Sequence, residues 1–111
     1  MKAGFLQFKP EFGKPEVNAE RVKKLLSGKD FDLIVLPELA NSGYLFTNED
    51  ELKKLSEDIP EGLFCQTLKN ISAQNNSHIV AGICEVDNGS FYNSSVLFYP
   101  DGQIKLYRKI H

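Results

Sequence analysis

The sequence contains no tryptophan, one methionine and only two cysteines in 111 residues. Two thiols, Cys65 and Cys84, are too few for the disulfide framework of a small secreted domain, and in a reducing compartment they remain thiols. An excess of basic charge is also missing. Lys+Arg number 13 against Asp+Glu 15, for a formal net charge of −2 and a pI near 5.7. That leaves no electrostatic footprint for nucleic acid. No apolar run approaches the ~20 residues of a membrane-spanning helix, so neither a membrane nor a nucleic acid is an expected partner. The apolar start of Met1–Phe8 is broken by Gln7 and stopped by Lys9 and Pro10, unlike a signal peptide. A cytoplasmic location is therefore expected. The Asn-x-Ser triplets beginning at Asn70, Asn75, Asn88 and Asn93 then carry no meaning for glycosylation. No Cys/His spacing suggests zinc, and no glycine-rich loop suggests a phosphate site.

What remains is ordinary globular composition. Hydrophobic residues make up 41% and charged residues 25%, which argues against wholesale disorder. A chain of this length is one domain or part of one, with no internal repeat or linker.

Residues 3–8 read as a first strand, and Pro10, Gly13 and Pro15 mark a loop. A helix is predicted from Asn18, as N-cap, to Ser27, with Ala19, Val22, Leu25 and Leu26 as its apolar positions and Gly28 as its stop. Leu33–Leu36 is an unbroken apolar run ended by Pro37, the pattern of a strand covered on both faces in a parallel sheet. Asn41-Ser42-Gly43 is turn chemistry. Thr47 can cap a short helix over about 48–56, with acidic residues in its first turn. A further helix is predicted over Leu63–Gln74, with Phe64, Leu68 and Ile71 on one face. Ile79–Val86 and Ser90–Tyr99 read as strands joined by the hairpin turn Asp87-Asn88-Gly89. Pro100-Asp101-Gly102 turns the chain into a last strand, Gln103–Arg108. The order β-α-β-α-α-β-β-β predicts an α/β fold, a mixed sheet layered with helices.

Reactive groups in such sheets collect at the carboxyl ends of strands. Glu38 follows the buried run after one proline, and Lys109 follows the last strand. A carboxylate beside an apolar strand loses hydration and becomes a better base. A nearby lysine opposes that shift and supplies fixed positive charge. Taken singly, Glu38 reads more readily as a loop residue, Lys109 as a solvated strand end, and Tyr44 as a loop aromatic.

Together they have a recognisable form. Leu36-Pro37-Glu38-Leu39-Ala40-Asn41-Ser42-Gly43-Tyr44 resembles the base motif of the nitrilase, or carbon–nitrogen hydrolase, superfamily. Tyr107-Arg108-Lys109-Ile110-His111 resembles that family's lysine motif. Ile79-Val80-Ala81-Gly82, Tyr92-Asn93-Ser94 and the first strand fit the family's intervening elements in order, so the resemblance covers essentially residues 1–111. It implies the N-terminal part of a single α-β-β-α sandwich domain. It also implies hydrolysis of amide, carbamoyl or nitrile bonds by a Glu-Lys-Cys triad without a cofactor, acting on a small-molecule substrate, often in a homo-oligomer. By motif match Glu38 is the general base and Lys109 the cationic partner, with Tyr44 a substrate-binding candidate.

The resemblance departs at the nucleophile. In the family that cysteine follows the lysine motif, at the end of a further strand, whereas the sequence here stops at His111. Cys84 precedes the motif and lies within a strand, so it is expected to be a buried thiol. Cys65 lies near a helix start, where the dipole can lower a thiol pKa, but a structural thiol is the expected reading. His78 is expected to cap or face solvent, and His111 to lie near the site without belonging to the triad. The 111 residues alone are expected to be inactive. The alternative is a truncated, non-catalytic relative that serves as a binding or assembly module.

Overall fold

The structure is a computed structural model, and it describes residues 2–6, 8, 11, 14–37, 56–59 and 61–108. Among the described residues, five strands form one mixed sheet in the order β1 (Ala3–Phe5), β2 (Leu33–Val35), β3 (His78–Asp87), β4 (Ser90–Phe98) and β5 (Ile104–Arg108). Strand β1 pairs parallel with β2, and β2 parallel with β3. The β3–β4 and β4–β5 pairs are antiparallel. The unalternated run Leu33–Val35 is thus an inner parallel strand. The β3–β4 turn places both Asn88 (φ 49°) and Gly89 (φ 80°) in the left-handed region. This mirror-image turn matches the right-handed twist of a hairpin.

Helices α1 (Pro15–Leu26) and α2 (Leu63–Asn75) pack against each other. Val22, Phe64 and Leu68 from the helices are buried in one core with Ile34, Ile79, Ala81, Ile83, Val96 and Phe98 of the sheet. Alternation sends Phe5, Leu33, Val35, Val80, Leu97 and Tyr107 to the opposite face. There Leu33, Val35, Val80 and Leu97 are half-buried, while Phe5 is 79% and Tyr107 69% exposed. One face of the sheet is therefore packed against the two helices, and the other carries half-buried apolar side chains around the buried Cys84.

Two details of α1 differ from the sequence reading. The helix begins at Pro15 rather than after Asn18, because proline suits the first helical position. Asn18 is a buried helix residue that braces the preceding loop: its Oδ1 accepts the Glu11 N–H at 2.8 Å and its Nδ2 donates to the Glu11 carbonyl at 2.9 Å. Leu25 is 39% exposed, since six residues from Ala19 does not return to the same helix face. The first strand is also shorter than expected, and the expected helix over 48–56 lies almost wholly outside the described residues.

Candidate active site

The register fixes which chain ends share an edge. Phe5, Val35, Val80, Leu97 and Lys105 form one row across all five strands. Strands β1, β2, β3 and β5 run in the same direction through that row, and β4 runs against them. Beyond it, β2 continues to Leu36, whose N–H donates to the Val80 carbonyl at 2.8 Å, and then to Pro37. Strand β5 continues to Tyr107 and Arg108, with Arg108 opposite Ser94. The described chain thus reaches Pro37 and Arg108 at the same end of the sheet, three strand spacings apart, or about 14 Å of backbone. In sequence the next residues are Glu38 and Lys109. Glu38, Lys109, Tyr44 and His111 themselves lie outside the described residues.

The segment that leaves β2 returns to the same edge. The Glu57 N–H donates to the Cys84 carbonyl at 2.9 Å, and the Val86 N–H donates to the Glu57 carbonyl at 3.0 Å. Glu57 therefore pairs with the second half of β3, where β2 has already stopped. Its carboxylate turns to the start of α2 and accepts the backbone N–H groups of Phe64 (3.2 Å) and Cys65 (2.9 Å). An acid at a helix N-terminus satisfies orphan donors and meets the positive end of the helix dipole.

That arrangement settles the character of Cys65. The thiol is fully buried, and its pKa is pushed up, first by burial and then by the Glu57 carboxylate. A dipole-activated Cys65 is excluded, because Glu57 already occupies the helix terminus. Cys84 is 3% exposed within β3, as expected of a structural thiol. His78 lies within β3 rather than before it, at the strand's opposite end, with its ring edge-on to Tyr99 at 5.1 Å. Among the described residues no group of His, Cys, Asp and Glu side chains is arranged to hold a metal ion, and no helix is long and apolar enough to cross a membrane.

One feature of this end of the sheet escaped the sequence reading. Glu85 is buried (2% exposed) in β3 and takes a bidentate pair from Arg108 at the end of β5. Arg108 Nε donates to Oε1 at 2.9 Å and Nη2 to Oε2 at 2.8 Å. Nη2 also donates to Asp87 at 2.8 Å, and the Ser94 hydroxyl donates to Glu85 at 2.7 Å. The guanidinium lies 4.2 Å from the centre of the Tyr92 ring, a cation–π distance. The Arg108 hydrogen bond holds the Glu85 carboxyl below its ordinary pKa; burial opposes this and Ser94 assists. A signal was present in the sequence: Glu85 is the only charge in Ile79–Val86, and a buried charge requires a partner.

Comparison with known proteins follows the same lines. The carbon-nitrogen hydrolase family pattern matches residues 2–111. A nitrilase of Pyrococcus abyssi is 36% identical over the whole of this chain, which spans 44% of that protein. A 2-oxoglutaramate amidase of Bacillus subtilis is 39% identical over 96% of this chain and 41% of its own length. The crystal structure of an N-terminal amidase with a Gln-Gly peptide superposes with a TM-score of 0.88 at 28% identity, covering 98% of this chain and 27% of that one. The fold and the edge to which its strands lead define a carbon–nitrogen hydrolase scaffold. The chain belongs to the carbon–nitrogen hydrolase family, and it spans less than half the length of these relatives.

Proposed function

We propose that these residues supply the base and the cation of a Glu-Lys-Cys hydrolase that cleaves non-peptide amide or related carbon–nitrogen bonds. Glu38 is the general base and Lys109 the cationic partner. Tyr44 contributes to substrate binding. The nucleophilic cysteine comes from outside residues 1–111. What supports the reading is the register: the residues preceding Glu38 and Lys109, distant in sequence, reach the same end of one sheet. The buried state of Cys65 and Cys84 supports a nucleophile from elsewhere. In this reading the sheet face opposite the two helices receives the second sheet of the sandwich, and the protein works on a small-molecule amide in the cytoplasm, as a homo-oligomer.

The chemistry needs all three groups. A thiol of ordinary pKa, about 8.5, is mostly protonated at neutral pH. Glu38 takes the thiol proton as sulfur attacks the carbonyl carbon. The Lys109 ammonium stabilises the oxyanion of the tetrahedral intermediate. Glu38 returns the proton to the leaving amine as the carbon–nitrogen bond breaks, leaving a thioester. Water, deprotonated by Glu38, then adds to the thioester carbon. Collapse releases the acid and the thiolate. The relatives described as amidases favour amides over nitriles as the substrate class.

Zero-length carbodiimide coupling followed by peptide mapping tests the reading. An isopeptide bond between Glu38 and Lys109 is expected. The exposed Lys2–Asp30 pair, 2.8 Å apart, serves as the internal standard. Its coupling without any Glu38–Lys109 product would place the two groups apart and end the triad assignment.

A further inference from the structure

We propose that Arg108 is a positioning residue: its two-pronged pair with the buried Glu85 pins the carboxyl end of β5 and thereby sets where the next residue, Lys109, stands. The proposal rests on the reading of Lys109 as the triad cation.

Strand β5 lies at the end of the described sheet order and pairs only with β4 there. Its outward-facing Tyr107 is 69% exposed. Such an edge frays at its last residue unless something beyond the ladder holds it. Arg108 supplies that hold by reaching across β4. Ser94 of β4 stands opposite Arg108 on one side and Ile83 on the other, while Glu85 stands opposite Tyr92. The guanidinium therefore runs over Tyr92 to a carboxylate two strands away. Both Glu85 oxygens are engaged by Arg108, and Oε1 also accepts from Ser94. A planar fork on a carboxylate that cannot rotate fixes direction as well as distance. Glu85 in turn is held by the paired central strand β3. Anchored in this way, the backbone at residue 108 is referred to the core and not to the loose edge. A triad tolerates little error in the placement of its cation, because oxyanion stabilisation depends on donors being prearranged.

Amide hydrogen exchange on the full 111-residue chain, read by NMR, tests the proposal, with Ala81 and Val96 as core reference amides. Arg108→Gln removes the fork. The double variant Glu85→Gln with Arg108→Gln also removes the buried charge that the single variant leaves uncompensated. In both, exchange at the amide of residue 109 is expected to rise roughly tenfold or more while Ala81 and Val96 keep their protection. Carbodiimide coupling of Glu38 to Lys109 should fall several-fold in parallel, with Lys2–Asp30 coupling constant. Asp87→Asn, which alters only the outer contact, should leave both readouts within about threefold. Unchanged exchange at residue 109 in a folded variant overturns the proposal. Uniform loss of protection at Ala81, Val96 and residue 109 in both variants also overturns it, by making the pair a general support of the fold. Absence of Glu38–Lys109 coupling in the unaltered chain, with exchange at residue 109 still governed by Arg108, sinks the triad reading and leaves the anchoring of β5 in place.

Discussion

Gly62 stands against the side chain of Glu57 so closely that a Cβ on it would lie 2.2 Å from Oε2 and 2.6 Å from the Glu57 Cβ. The second contact matters most, because a Cβ cannot swing aside as a carboxylate tip can. Gly62 is thus required by proximity, at an ordinary negative φ of −63°. Gly62→Ala must displace Glu57 and with it the two hydrogen bonds to the start of α2. Hydrogen bonds to a charged group contribute about 1.5–3 kcal/mol, so a loss of about 2 kcal/mol is expected. A lower urea midpoint with an unchanged slope is the measurement. In a Glu57→Gly background, which removes the Cβ as well as the carboxylate, the same glycine change should cost much less, since no side chain is left to displace.

The Glu85–Arg108 pair predicts a sign for the dependence of stability on pH. The folded Glu85 carboxyl titrates below its ordinary value because Arg108 hydrogen-bonds the charged form. A depressed folded pKa means that the contribution is complete above the unfolded pKa, about 4.3 for glutamate. It is lost as the pH falls through the folded value. Urea midpoints of the unaltered chain should decline below about pH 4. The stability gap between the unaltered chain and Glu85→Gln should narrow over the same range. A gap that widens in acid would contradict the ion pair.

These two relationships also mark how far the sequence was legible. Features encoded within a few residues were readable. The apolar run Leu33–Leu36 announced an inner parallel strand, Asn88-Gly89 a hairpin, and the spacing of Phe64, Leu68 and Ile71 the buried face of α2. Features made by closure over distance were not. Asn18 has the side chain of an N-cap, but its bonds to Glu11 are made from inside the helix. Nothing local in Ser56-Glu57-Asp58 shows that it returns to β3 and that its carboxylate covers α2. Glu85 signalled the need for a partner, but that partner lies diagonally across β4, a geometry that exists only after the hairpin has formed. Of the candidate site, the motifs around Glu38 and Lys109 were legible from resemblance. The convergence of β2 and β5 on one edge follows from the register alone.

The thiols should be inert in the native chain. Cys65 combines burial with a neighbouring carboxylate, both of which disfavour the thiolate, and the thiolate is the reactive species. Cys84 is buried in β3. Labelling by a disulfide reagent at neutral pH should therefore require opening of the structure. It should run on the order of a thousandfold slower than in strong denaturant. Fast native labelling of Cys84 would reopen its candidacy as a nucleophile.

A base and a cation without a nucleophile can at most polarise water, and covalent catalysis in the proposed mechanism begins with a thiolate at the substrate carbon. Neither buried cysteine meets that requirement: Cys65 is buried in the first turn of α2 beside Glu57, and Cys84 sits inside a paired strand. The purified 111-residue chain is therefore expected to release no ammonia from a panel of small amides, including ω-amides of dicarboxylic acids. Clear release that is abolished by Glu38→Gln and retained in Cys65→Ser and Cys84→Ser would mean that Glu38 activates water directly. Release abolished by Cys84→Ser as well would mean that the nucleophile lies within β3. Either result would replace the division of labour in which this chain supplies the proton acceptor and the fixed charge while the sulfur comes from beyond it.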